Sequence, residues 1–212
     1  LIVKKPKPDE QQNGQAVQNM LNKIICLKMK PTEDLMHEHK AIKVMLSIMS
    51  KIAENIRNQK KTDSEEIEKL IDFLKTFADK CHHGKEETVL FPALVDAGMS
   101  DQSGPVAVML HEHDLGRGFI KNMALSVEAM KAGDISAINQ VAESMEEYVS
   151  LLHNHIQKEE NILFPMADKL LPEEKQYETF IAFERIEEEV VGHGVHERYH
   201  EFLNQLKAKY QV

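Results

Sequence analysis

"HHGKEETVLFP" occupies His82–Pro92 and "HIQKEENILFP" occupies His155–Pro165. Seven of the eleven positions agree: the first His, the Lys, both Glu and the closing Leu-Phe-Pro. Such a repeat preserves either a feature of the fold or a chemistry. A His and a Glu four positions apart share one face of an α-helix, with Cβ atoms roughly 5–6 Å apart. His82 with Glu86, and His155 with Glu159, can therefore address a common point. Both blocks sit in apolar periodicity: Phe73, Leu74 and Phe77 before His82, Val89 and Leu90 after Glu86, and Tyr148, Leu151, Leu152, Ile162 and Leu163 around the second block. An inward carboxylate among such side chains is costly unless a cation or hydrogen bonds neutralise it.

The repeat extends beyond the blocks. "LMHEHK" at 35–40 resembles "MLHEHD" at 109–114, so the first half of the chain reads as an old copy of the second. Five helical segments are expected: from Pro31 to about Asn58, from Ser64 to about Ala97, from Pro105 to the "KAGD" turn at 131–134, from Ile135 to Ala167, and a last one interrupted or bent near Gly192 and Gly194. Pro31 and Pro105 stand where a helix tolerates proline, and Gly98 where a helix is capped. Short connections between consecutive helices favour antiparallel neighbours. The expectation is an all-α fold, an up-down-up-down four-helix bundle over 29–170 with a C-terminal helical extension at 171–212 packing on it. Residues 1–28 read as an N-terminal extension or linker.

This arrangement levels the histidines. His39 and His82 each lie about 20 residues from the intervening turn, which at 1.5 Å per residue puts both roughly 30 Å from its tip. His113 and His155 stand in the same relation to the "KAGD" turn. Four helices thus deliver His39, His82, Glu86, His113, His155 and Glu159 to one layer. Four imidazoles and two carboxylates suit two first-row metal ions sharing bridging carboxylates, with positions left open for a small molecule. The donor types are compatible with iron, manganese or zinc, and no thiolate set favours a structural zinc site. A ferritin-like site would need two inward Glu-x-x-His motifs on separate helices, and the chain has one, Glu197 to His200, outside the repeat.

Composition narrows the function classes. The formal net charge of −9 gives no general electrostatic reason to bind nucleic acid or anionic lipid. No apolar run approaches the ~18 residues of a membrane span. Two cysteines, Cys26 and Cys81, make neither a zinc-type pair nor a disulfide framework, so a reducing, cytoplasmic setting is expected.

The paired His-x-x-x-Glu-Glu-x-x-Leu-Phe-Pro blocks, with His39 and His113, resemble the hemerythrin-like "HHE" cation-binding domains over about residues 32–170. The resemblance implies a four-helix bundle holding a non-haem di-iron centre, each iron taking two histidines, bridged by Glu86 and Glu159 and by an oxo or hydroxo group. Manganese or zinc are the possible substitutes. It also implies a small ligand (O2, NO or H2O2) and a role in oxygen or nitric oxide sensing or in oxidative and nitrosative stress defence. If the chain is an enzyme, it is an oxidoreductase acting on peroxide or nitric oxide. The alternative is a metal-stabilised helical signalling module that engages a protein partner without turnover. Oxygen-carrying members have a further histidine one turn beyond the first on the third helix, where this chain has Arg117, and an Asp five after the last histidine, where this chain has Glu159 four after it. The pattern is closer to the symmetric sites of proteins implicated in iron-centre repair, nitric oxide metabolism and iron or oxygen sensing.

The neighbours receive plainer expectations. His37, His83, His111 and His153 read as surface or supporting residues. Glu87 and Glu160 read as surface or inter-helix partners, or as hydrogen-bond acceptors for the ligand imidazoles. Tyr148 reads as core packing or as a hydrogen-bond donor into the site, and Cys81 as a small buried residue. Met36, Met45 and Met49 are core at helical spacing. His193, His196 and His200 read as a surface or packing stripe, or else as a cap or a weak cation site.

Overall fold

The computed structural model describes residues 30–58, 62–190, 192 and 195–212. The extension at 1–28 lies outside the described residues, and so do the side chains of the His193, His196 and His200 stripe. Six helices and no strand occur among the described residues: α1 (Pro31–Arg57), α2 (64–96), α3 (Gly104–Lys131), α4 (138–170), α5 (Glu173–Val190) and α6 (Val195–Tyr210).

Local chemistry explains where they start and stop. Pro31 occupies the first turn of α1, Glu33 and Asp34 face the positive end of the helix dipole, and Glu33 Oε2 accepts from the Lys30 backbone N–H at 3.3 Å. Asp63 caps α2 by accepting from the Glu65 N–H at 3.0 Å. Gly98 and Gly133, each at φ 106°, close α2 and α3 in a conformation that costs glycine nothing. The fourth segment differs slightly from expectation. Asp134 accepts from the Ser136 N–H at 3.0 Å, so Ile135–Ala137 forms a 3-10 turn before α4 begins at Ile138.

Two helices widen in the middle. In α2, Leu74–His83 and Glu86–Leu90 are π-helical; in α4, Glu159–Leu163 is. The Phe91 N–H bonds the Glu86 carbonyl and the Phe164 N–H bonds the Glu159 carbonyl, both five residues back. Pro92 and Pro165 supply the reason. A proline lacks the N–H, and its ring crowds the carbonyl four residues earlier, so the turn before it opens. The Leu-Phe-Pro end of the repeat is therefore a fold feature, and it shapes the turn that carries the repeated Glu.

α4 packs along both α1 and α3, while α2 lies against α1 and α3. The expected fifth segment is two helices, divided between Val190 and Val195; α5 rests on α1 and α2, and α6 on α1. Buried apolar side chains form two clusters. One includes Ile42, Phe77, Ile120, Leu152 and Ile156; the other includes Leu35, Leu90, Met109, Leu163 and Phe183. On every one of α1 to α4 a histidine stands between a member of the first cluster and a member of the second. A polar layer is thus closed off from water on both sides by apolar packing.

Candidate metal centre

The structure brings all six expected side chains into that layer. His39, His82, Glu86, His113, His155 and Glu159 are each at most 1% exposed. The imidazoles face one another in pairs, His39 Nε2 to His82 Nε2 at 3.1 Å and His113 Nε2 to His155 Nε2 at 3.1 Å. Each carboxylate spans the pairs. Glu86 Oε1 stands 3.9 Å from His82 Nε2 and its Oε2 3.4 Å from His113 Nε2. Glu159 Oε2 stands 3.2 Å from His39 Nε2 and its Oε1 3.1 Å from His155 Nε2.

The far side of every ring is held by a second carboxylate. His39 Nδ1 donates to Glu160 at 3.0 Å, His82 Nδ1 to Glu38 at 2.8 Å, His113 Nδ1 to Glu87 at 2.7 Å and His155 Nδ1 to Glu112 at 3.0 Å. Each of these carboxylates in turn meets a cation: Lys43 on Glu160, Lys85 on Glu38, Arg117 on Glu87 and Lys158 on Glu112. Four chains of cation, carboxylate and imidazole thus converge on the layer, related in two pairs by the sequence repeat. Phe164 stacks on His39 with centroids 5.6 Å apart, and its counterpart Phe91 stacks on His113 at 5.8 Å. Truncating Phe164 to Ala is expected to cost about 3–5 kcal/mol of stability, read by chemical denaturation of the metal-free chain.

With Nδ1–H given to a carboxylate, each ring presents a lone pair at Nε2. Two such lone pairs opposed at 3.1 Å do not bond to each other; they need a cation between them. At the roughly 2.1 Å of a metal–imidazole bond, one ion would be within reach of both nitrogens of a pair. The carboxylates make the same demand: all four oxygens of Glu86 and Glu159 are buried without a hydrogen-bond donor. The residues therefore fit a pair of metal ions. Electrostatics agrees. Burial, and then the charge of Glu159, push the Glu86 carboxyl well above the usual carboxylate range. Burial and His39 hold the His82 imidazole well below its ordinary value. Burial also opposes a charge on His155, but Glu159 and Glu112 outweigh it and raise that ring to about 9, so in the metal-free chain a proton on His155 takes the place of the cation beside Glu159.

Residues 30–167, about two thirds of the chain, match the sequence profile of the hemerythrin HHE cation binding domain. The chain belongs to this family. An uncharacterized protein of Mycobacterium tuberculosis is 25% identical to it over 134 residues, 63% of this chain and 51% of that protein. The iron-sulfur cluster repair protein YtfE of Musicola paradisiaca is 36% identical over 89 residues, 41% of this chain and 40% of YtfE. YtfE of Yersinia pestis is also 36% identical, over 90 residues. The chain spans about half the length of the curated relatives it matches, or less. No solved structure matches it significantly.

Within this HHE domain the neighbours sort clearly. His37, His111 and His153 are exposed, as expected of surface residues. Glu87 and Glu160 take the hydrogen-bonding role that had been the alternative reading. Cys81 is buried, and burial pushes its thiol up to about 12, so it is no ready nucleophile. Tyr148 is fully buried with an unpartnered hydroxyl, whose ionisation burial further suppresses.

Glu38, Glu112 and the four cations went unread in the sequence. The repeat itself carried the signal, since Lys43 and Arg117, like Lys85 and Lys158, occupy equivalent positions in the two copies. His83 departs from expectation: it is 2% exposed, inside the layer. The π-helical turn explains this. Bonding five residues back lowers the rotation per residue, so His82 and His83 both point inward, where an α-helix would splay them further apart. Among the described residues, no helix is long and apolar enough to cross a membrane.

Proposed function

We propose that this HHE domain is an antiparallel four-helix bundle that holds a non-haem di-iron centre and binds or processes a small ligand of the O2, NO or H2O2 class. A single observation carries the reading: two buried, donor-less carboxylates each direct one oxygen to each of two imidazole pairs. His39 and His82 would hold one ion, His113 and His155 the other, and Glu86 and Glu159 would be shared between them. Iron is favoured over manganese or zinc by the named role of the YtfE relatives in iron-sulfur cluster repair. That likeness also supports a part in oxidative or nitrosative stress defence.

When bound, the iron pair supplies redox electrons and coordination positions for the small ligand. The protein supplies the rest. Glu38, Glu87, Glu112 and Glu160 fix each ring's tautomer and orientation and make it a better donor. The apolar clusters on either side exclude bulk water and admit small molecules in preference to large ones. Charge balance is local: two bridging carboxylates offset part of the charge of the cations they hold.

The test is metal analysis of the purified chain with an absorption spectrum. Two irons per chain are expected, and replacing His82 and Glu86 by Ala should remove most of them. Full occupancy in that variant would refute the assignment. Acid should release the metal, because protons compete for the same atoms. Since Glu86 in the metal-free chain takes up its proton well above the usual range, the loss begins at a higher pH than an ordinary carboxylate would set. Occupancy followed by titration from neutral pH downward is expected to fall before pH 4.5 is reached; occupancy unchanged to that point would count against it.

A further inference from the structure

α5 rests on α1 and α2 and brings Phe183 and Glu187 to Lys85. On that half of the bundle Val89, Ala93 and Ala97 of α2 are buried or partly buried against the core. In the repeat these positions become Ile162, Met166 and Leu170 of α4, and Asp34 of α1 becomes Val108 of α3. Among the described residues all four of these larger or apolar replacements are exposed. Spaced i, i+4 and i+8, Ile162, Met166 and Leu170 make one stripe on α4. Asp34 reaches Lys85 across the α1–α2 groove, so Val108, in its place, borders the α3–α4 groove. Single exposed apolar side chains are ordinary, whereas a continuous stripe marks a surface built to be covered.

The sequence ahead of α1 carries the matching pattern. Val17, Met20, Leu21 and Ile24 recur at i, i+3, i+4 and i+7, with Gln18, Asn19, Asn22 and Lys23 between them. From Val17 to Ile24 a helix would run roughly 10 Å, close to the roughly 12 Å from Ile162 to Leu170. So short a helix does not hold alone in water and needs a surface to pack on. The chain also arrives at the right place. Lys30 Nζ donates to Asp168 Oδ2 at 2.7 Å and Thr32 Oγ1 to Asp168 Oδ1 at 2.8 Å, so α1 starts against the end of α4 that bears Met166 and Leu170. Residues 26–29, when extended, span roughly 13 Å, about the width of the one helix they must cross. Charge favours the contact: residues 1–28 hold five Lys against one Asp and one Glu, in a chain of formal net charge −9.

We propose that residues 16–25 pack as an amphipathic helix on the stripe of Ile162, Met166 and Leu170 beside Val108, so that the chain closes this surface with its own N-terminal segment. The tether keeps the segment at a high effective concentration, which a separate partner has to exceed. Lys158 lies one turn before Ile162, outside the cover, and stays open to water. No metal is needed for this contact.

The experiment uses the full chain with Ile162→Cys as reporter and Cys26→Ser to leave the segment without a thiol. Cys81 is buried, its thiol pushed up to about 12, and does not compete. Maleimide labelling of this chain is expected to be slower, on the order of tenfold, than labelling of the same chain with Leu21→Asp and Ile24→Asp. Equal rates would overturn the proposal. So would slow labelling that survives those two substitutions, which assigns the surface to another cover, or slow labelling that depends on chain concentration, which assigns it to a second copy. A nitroxide on Asn19→Cys, again with Cys26→Ser, tests the contact without altering the bundle. Amide signals of residues 162–170 should broaden while those of residues 180–190 stay sharp. Signals broadened alike in both stretches, or in neither, would overturn the proposal as well.

Discussion

Replacing Glu86 and Glu159 together by Gln is expected to abolish metal retention and, at the same time, to make the metal-free chain more stable. Both carboxylates are 0% exposed and have no hydrogen-bond donor, so in the absence of cations both are desolvated, and the charge of Glu159 adds to the cost of ionising Glu86. Gln keeps the volume and removes the charge. Substituting buried charges by neutral groups of similar size commonly stabilises by roughly 1–4 kcal/mol, which for a chain of this size raises the thermal midpoint by about 2–4 °C per kcal/mol. Loaded with metal, the order reverses: an ion pair present at a thousand times its dissociation constant adds about 4 kcal/mol to the wild type by mass action and nothing to the variant. Thermal denaturation with chelator and with added iron measures both signs. A variant that keeps two irons, or that melts lower than wild type under chelator, would contradict the account. The same two side chains are a defect without metal and the means of holding it.

The second large effect falls on Lys85. Its ammonium is fully buried, 2.9 Å from Asp34, 2.8 Å from Glu38 and 3.3 Å from Glu187, and it lies 5.6 Å from the Phe183 ring centroid. Burial opposes the charge, but Glu38 and Asp34 outweigh it and raise the pKa of Lys85. Lys85→Met removes the cation and leaves Asp34 and Glu38 in a dry place without it, a loss of about 3–5 kcal/mol. Glu38 also ceases to be held behind His82, so metal affinity should fall by roughly 10–100-fold. Lys158 plays the same part for Glu112 and His155 in the other copy, but it is 34% exposed. Water screens that pair, and Lys158→Met should cost no more than about 1 kcal/mol. Equal losses from the two substitutions would mean that the cover provided by α5 over Lys85 has no energetic consequence.

Why the two lysines differ could not be read from the chain. The repeat places Lys85 and Lys158 at equivalent positions, each followed by Glu-Glu, and the difference lies in Phe183 and Glu187, about a hundred residues after Lys85. Nothing in a local pattern announces that α5 will turn back onto α1 and α2. The six candidate ligands, by contrast, were legible because each is specified by its own helix. A His-x-x-x-Glu spacing names a face, and apolar flanks name that face as inward. His83 escaped for the same reason in reverse. An α-helical reading turns it away from the site, and the wider turn that brings it inward becomes visible with the backbone hydrogen bonds of α2. The C-terminal segment, expected to be interrupted or bent near Gly192 and Gly194, is two helices, Glu173–Val190 and Val195–Tyr210.

By itself the sequence determined that the chain is helical, which residues begin and end most helices, and that four imidazoles and two carboxylates share a layer, because helix periodicity and turn chemistry act over a few residues. Only the tertiary structure decided which carboxylate stands behind which ring, that a cation stands behind each carboxylate, that His83 joins the layer, and that Lys85 is dry under α5 while Lys158 is partly exposed to water. Those contacts join side chains tens of residues apart, and their strength depends on distance and on exclusion of water, neither of which exists until the helices have packed.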